Sequence, residues 1–136
     1  MPLEPGLSHE TTRVVAPEDT AQHIGSGSIA VLGTPIMILW MEETALAAAQ
    51  PWLAEGQTTV GTRVDVQHLA ATPLGGRVRV QADLVEVKGR RLVWRVTADD
   101  EHERAREVGL VVGLLAVHVG TGDPEPLLLE LLERLH

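Results

Sequence analysis

The sequence predicts an α+β fold in which an antiparallel sheet wraps around one long central helix, with a short helix at the C-terminus. Three observations predict it. The stretch Gly33 to Leu53, GTPIMILWMEETALAAAQPWL, reads as one helix with apolar side chains around most of its circumference. After Gly56 the pattern changes to a period of two and keeps returning to it through the following segments. The chain has 136 residues, enough for one core but not two, so residues 1–136 are expected to form a single domain in which the sheet covers the helix. The open alternative is a two-layer sandwich, whose helix would show one clearly polar face; this one barely does.

Taken in order, Met1 to Leu7 is a lead-in and His9 to Val15 (HETTRVV) a first strand, ended by Pro17. Ala16 to Gly27 carries Pro, Asp, Gly and Ser and reads as a loop, with one helical turn over Glu18 to His23. Gly33-Thr34-Pro35 opens the long helix, because Thr accepts from free first-turn amides and Pro at the first helical position loses no bond. Pro51 ends it, and Glu55-Gly56 makes the turn. In Thr58 to Leu69, Val60, Thr62, Val64, Val66 and His68 fall on one face and Gly61, Arg63, Asp65, Gln67 and Leu69 on the other. Thr72 to Gly76 is a turn. In Arg77 to Val87 the alternation of Val78, Val80, Ala82 and Leu84 slips at Leu84-Val85, which predicts a bulge. Lys88 to Arg91 is a hairpin turn, Leu92, Trp94, Val96 and Ala98 mark the next strand, and Asp99 to Glu103 is a charged turn. Arg106 to Val119 is apolar on both faces, as a central strand would be. Asp123-Pro124 then opens the terminal helix, with Leu127, Leu128, Leu131, Leu132 and Leu135 on one side. The strands are expected as four consecutive antiparallel neighbours, a meander.

Composition removes several classes of function. Aromatic residues make up 2% of the chain and the formal net charge is -8, so neither base stacking nor a basic surface is available for nucleic acid. With no cysteine there is no disulfide scaffold, thiolate nucleophile or cysteine metal site. His9, His23, His68, His102 and His118 show no paired ligand spacing, so no metal and no cofactor is expected. No phosphate loop, membrane span or leader pattern appears, and a soluble cytoplasmic protein is the default.

Two titratable residues stand on apolar faces. On a helical wheel, Ile38, Ala45, Leu46, Ala49 and Leu53 surround Glu42, whereas Glu43 lies near Ala47 and Gln50. A buried, unpartnered carboxylate costs far more than the roughly 1.5–3 kcal/mol gained by burying a leucine, so Glu42 either has a partner or reaches a solvated edge of the packing. His68 continues the apolar face of its strand. Both groups point into one interior, where pairing lowers the cost of each, and two such groups can carry acid–base or nucleophilic chemistry.

From Gly33 to Ala98 the residues resemble the hotdog-fold acyl-CoA thioesterases, and within them the fluoroacetyl-CoA thioesterase-like group. The resemblance is carried by the helix start with Thr34, the pair Met41-Glu42, Gly61-Thr62 opening a strand, His68-Leu69-Ala70-Ala71-Thr72-Pro73 at its end, and Leu84-Val85-Glu86-Val87 with Gly89-Arg90-Arg91-Leu92. It implies a hotdog fold, hydrolysis of a small acyl-CoA thioester, a catalytic set of Thr34, Glu42 and His68, the amide of Gly61 near the thioester, and a homodimer or dimer of dimers with the site at the subunit interface. Members often carry a His-Glu-Arg string in the last strand; here the corresponding positions are Gly113-Leu114-Leu115, and His102-Glu103-Arg104 lies in the preceding turn. An acyl preference that depends on that arginine is not implied. Lys88, Arg90 and Arg91 are the local basic patch that could meet coenzyme A phosphates, or they are a solvated hairpin turn. A second class of function on the same scaffold is a non-catalytic acyl-CoA or small-ligand binding protein. A hydratase ranks third, because its paired Asp and His motif is not evident. One geometric problem is visible already: in a straight helix Thr34 and Glu42 lie about 12 Å apart along the axis. They meet only if the helix begins late, through substrate, or across subunits.

Overall fold

A computed structural model of the protein describes residues 3–100 and 111–121. Strand β1 (Ser8–Val14) leads through a 3-10 turn at Pro17–Asp19 and the short α1 (Ala21–Ile24) into the long α2 (Thr34–Ala49), extended by a 3-10 turn at Gln50–Trp52. Strands β2 (Gln57–His68), β3 (Arg77–Lys88), β4 (Arg91–Asp100) and β5 (Val111–Thr121) follow. The expected terminal helix from Asp123, and residues 101–110, which include the His102-Glu103-Arg104 string, lie outside the described residues.

The sheet is antiparallel with the order β1-β3-β4-β5-β2. A meander is therefore present only from β3 to β5. Strand β2 pairs with β5 and forms one edge, while β1 forms the other. The reason lies in residues 69–76, which do not turn back as a hairpin but are tied to the segments flanking α1. Leu32 N donates to Thr72 O at 2.7 Å, Val31 bridges Pro73, and Gly75 N donates to Val15 O at 2.8 Å. Those bonds carry the chain from the end of β2 to the start of β3 beside β1. The charged turn expected from Asp99 also moves, because Asp99 and Asp100 continue β4 opposite Arg79 and Val78.

Helix α2 lies on the inner face of the sheet, with Met37, Trp40, Met41, Thr44, Ala45, Ala48 and Ala49 buried. Opposite them are Val78, Val80, Ala82 and Leu84 of β3 and Leu92, Trp94, Val96 and Ala98 of β4, all buried. Full burial of a side chain such as Met37 or Leu84 contributes about 1.5–3 kcal/mol. The coverage is less complete than the helix pattern suggests. Leu39 is 48% exposed, Ala47 and Gln50 are exposed, and Ile36 and Leu46 are half-buried. A five-stranded sheet from one copy covers one side of a helix, and among the described residues nothing covers the remaining apolar flank.

The bulge expected in β3 is present between Leu84 and Glu86. A second bulge, with no counterpart in the sequence reading, shifts the register of β2 between Gly61 and Arg63. It changes which residues share a face. Gly61 pairs with Val117 and so joins the inner face that runs through Leu92, and after the inserted residue Val64, Val66 and His68 follow on that same face. Strict alternation put Gly61 and His68 on opposite faces; the extra residue brings them together.

Candidate active site

Glu42 stands at the edge of the buried face of α2, half-buried, and its carboxylate lies against the α-carbon of Gly61. A methyl group at Gly61 would sit 3.2 Å from both carboxylate oxygens, so only glycine lets the strand backbone approach this closely without displacing the acid. The register of β2 against β5 shifts immediately after this residue, between Gly61 and Arg63. The two alternatives for Glu42 thus meet: it is neither sealed in the core nor on the open face.

Thr34 and His68 form the second pair. Thr34 opens α2 and His68 ends β2, and their side chains meet with Oγ1 and Nδ1 2.7 Å apart. Nε2 of the ring is shielded from solvent and has no hydrogen-bond partner among the described residues. Burial lowers the His68 pKa from its ordinary value by disfavouring the charged ring, and the backbone of Ala70 acts in the opposite direction. The imidazole is thereby biased to the neutral form, in which one nitrogen can accept a proton.

Within one chain these pairs stay apart. Both α2 and β2 separate them, by eight positions along the helix, or about 12 Å of rise. The helix begins at Thr34 and runs through Glu42 without interruption, which removes a late start as the means of joining them. Thr34 and His68 come together, Glu42 and Gly61 come together, and the three side chains do not converge in one copy.

The structure also shows contacts that the helical wheel missed. Glu43 faces Arg13 of β1, with Nη2 donating to Oε2 at 2.8 Å. Thr44, fully buried, donates to the Trp40 carbonyl at 2.7 Å and lies 2.7 Å from the hydroxyl of Thr11. The alternation of Thr11 and Arg13 on the first strand was the available signal, since both face the helix side. His118, in contrast, is buried beside Val60 and Arg91 in the ladder, on the face opposite Gly61. No group of three or more metal-ligating side chains occurs among the described residues, and no described helix is long and apolar enough to cross a membrane.

Comparison with known proteins agrees with the fold and the motifs. Residues 15–109 match the family described as FlK, fluoroacetyl-CoA-specific thioesterase. A fluoroacetyl-CoA thioesterase from Streptantibioticus cattleyicolor is 40% identical over 106 residues, which cover 68% of this chain and 76% of that protein. The crystal structure of a Thr-to-Ser variant of FlK in complex with acetyl-CoA superposes with a TM-score of 0.81 at 30% identity, covering 93% of this chain and 96% of the other. A thioesterase-superfamily protein from Thermus thermophilus gives 0.80 at 30% identity, with 98% and 96% covered. The chain has the hotdog fold and belongs to the fluoroacetyl-CoA-specific thioesterase family.

Proposed function

We propose that the protein hydrolyses the thioester of small acyl-CoA molecules at a site shared by two copies of the chain, acting in the cytoplasm as a homodimer of single-domain hotdog units. The observation that carries this reading is the position of the two polar pairs six ladder steps apart along β2, an edge of the sheet among the described residues. Counted along the ladder, Asp65 is three rungs from Gly61 and three from His68. If two β2 edges pair antiparallel about Asp65, Gly61 and Glu42 face His68 of the partner subunit. The half-exposed Val64 and the open flank at Leu39 favour such an assembly, because an unpaired edge beside apolar surface seeks a partner.

In this site the thioester carbonyl lies against the Gly61 backbone, whose amide stabilises the oxyanion. Glu42 either attacks the carbonyl carbon and forms an anhydride that water then opens, or takes the proton from an attacking water. In both routes the hydroxyl of water ends on the acyl carbon, the C–S bond breaks, and the coenzyme A thiolate receives its proton through His68. Thr34 holds the ring by Nδ1 and leaves Nε2 for that transfer. The name of the relatives supports the thioester; Gly113-Leu114-Leu115 leaves the acyl group unassigned.

Subunit complementation tests the shared site. Glu42→Gln and His68→Ala should each lose at least about a hundredfold in thiol release from a panel of acyl-CoAs. Mixed and refolded in equal amounts, they should regain about a quarter of wild-type activity, because half of the dimers are mixed and each then holds one intact site. Absence of recovery, with mixed dimers verified by mass, would refute the shared site. Tight acyl-CoA binding by a wild-type protein that releases no thiol would replace the enzyme with a binding protein.

A further inference from the structure

The apolar residues of α2 surround it so evenly that burial alone does not choose how the helix is rotated about its axis. Ile36, Leu39 and Leu46 on the open flank would gain from turning inward as Met37, Met41 and Ala45 turned out. Rotation nevertheless decides where Glu42 points. A turn of about 10° moves a group at a side-chain radius of about 5–6 Å by about 1 Å. A misplacement of about 1 Å can cost about 10²-fold in rate.

We propose that Thr11 and Arg13 of β1 form a clamp that sets the rotation of α2 and so positions Glu42 against Gly61; this rests on the assignment of Glu42 to thioester hydrolysis. The two residues are two apart on one strand and face the helix together. Thr11 reaches Thr44 at 2.7 Å, and Arg13 reaches Glu43 at 2.8 Å. The single hydroxyl proton of Thr44 is used on the Trp40 carbonyl, so Thr11 is the donor and Thr44 the acceptor. The direction of the clamp is what gives it leverage. At about 100° per residue, Glu43 lies about 100° and Thr44 about 200° around the helix from Glu42. Strands β1 and β2 are the two edges of the sheet, so the helix is held at one edge and presents its acid at the other. The ion pair is half-exposed, with side chains 39% and 41% accessible, and contributes little to stability. Its consequence is orientation.

The test is the pair Thr11→Val and Arg13→Met in the intact protein, singly and together, with Arg13→Lys as the conservative control. The expected result is a loss of kcat approaching about 10²-fold in the double variant, with KM nearly unchanged, because the acid and not the binding surface has moved. Arg13→Lys should keep most of the activity, since the observed contact is a single N–O bond that an ammonium can make. A crystal structure of the double variant should show the Glu42 carboxylate displaced from Gly61. Wild-type kcat in the double variant, or a lowered Tm with kcat per folded enzyme unchanged, would overturn the clamp. If the wild type hydrolyses no acyl-CoA, the assigned reaction fails, while the position of Glu42 in the double variant still decides the clamp: displaced it stands, unmoved it falls.

Discussion

Replacing Gly61 by alanine separates the chemistry from the fold more sharply than removal of any charged group. The added methyl carbon would lie 3.2 Å from Oε1 and Oε2 of Glu42 and 3.3 Å from its Cδ. Ordinary contacts between carbon atoms begin at about 3.5 Å, so the carboxylate must retreat by a few tenths of an ångström. Glu42 is half-buried and ends in rotatable bonds, so it can do so at little cost to the fold. The backbone at Gly61 is not in the left-handed region, and alanine adopts it without strain. Loss of unfolded-chain freedom should even add about 0.4–1 kcal/mol. Activity is expected to move the opposite way. The methyl would occupy the space between strand backbone and carboxylate that the proposed mechanism gives to the thioester carbonyl, within about 3 Å of the proposed oxyanion donor, and kcat/KM should then fall by about 10²–10³-fold. Thiol release and thermal unfolding, measured on the same preparation, check both halves. Full activity in Gly61→Ala with an unchanged Tm would show that no substrate atom enters this space, and the assignment of Gly61 would fall with it.

Glu43→Gln should reduce kcat/KM far less than the loss of at least about a hundredfold expected for Glu42→Gln, because the amide oxygen still accepts from Arg13; equal losses in a thiol-release assay would reject the distinction between the two acids. The His68 ring stays neutral to lower pH in the folded chain than its unfolded value of about 6.5, so the acid limb of kcat/KM due to His68 should lie below that pH. Because the unfolded chain binds the extra proton in the window between the lowered folded pKa and about 6.5, stability should rise with pH across that window and be lost as pH falls through it. His68→Gln should flatten this dependence in denaturant titrations. Sedimentation at micromolar concentration should give at least a dimer, and a stable monomer would remove the partner on which the shared site depends.

Much of the fold was legible because its signals are local. Helix boundaries at Thr34 and Gln50 follow from Pro35, Pro51 and Gly56, and the phase slip at Leu84-Val85 announces the β3 bulge from its own run of valines and leucines. Strand order was not legible. Whether β2 lies beside β3 or beyond β5 depends on the bonds of Thr72, Pro73 and Gly75 to residues 40 to 60 positions earlier, and periodicity carries no information at that separation. The bulge at Gly61 was invisible for a different reason. Val60, Thr62, Val64, Val66 and His68 alternate without a fault, so the pattern itself supports the wrong face for Gly61. In the site, the wheel had no means of seeing that Glu43 reaches Arg13.

On the proposed edge pairing, the bulge is what would let the two polar pairs serve one site. In a regular β2, Gly61 would face away from α2 whenever His68 faced toward it, because side chains alternate and the two positions differ by an odd number. One inserted residue makes the number of ladder steps between them even, so glycine and histidine meet the same helix and leave Asp65 midway between them. An even number of steps is also what an antiparallel pairing of two such edges about a central residue requires. The same insertion lets Gly61 receive Glu42 within one copy and, in the proposed dimer, would set that glycine opposite His68 of the partner subunit. Edge pairing of this kind would serve two needs together: it would cover the β2 edge and the apolar flank at Leu39, and it would join an acid to a histidine that the helix holds two turns away. Substitutions on β2 that weaken the pairing should for this reason lower activity and solubility in parallel, even where they touch neither Glu42 nor His68.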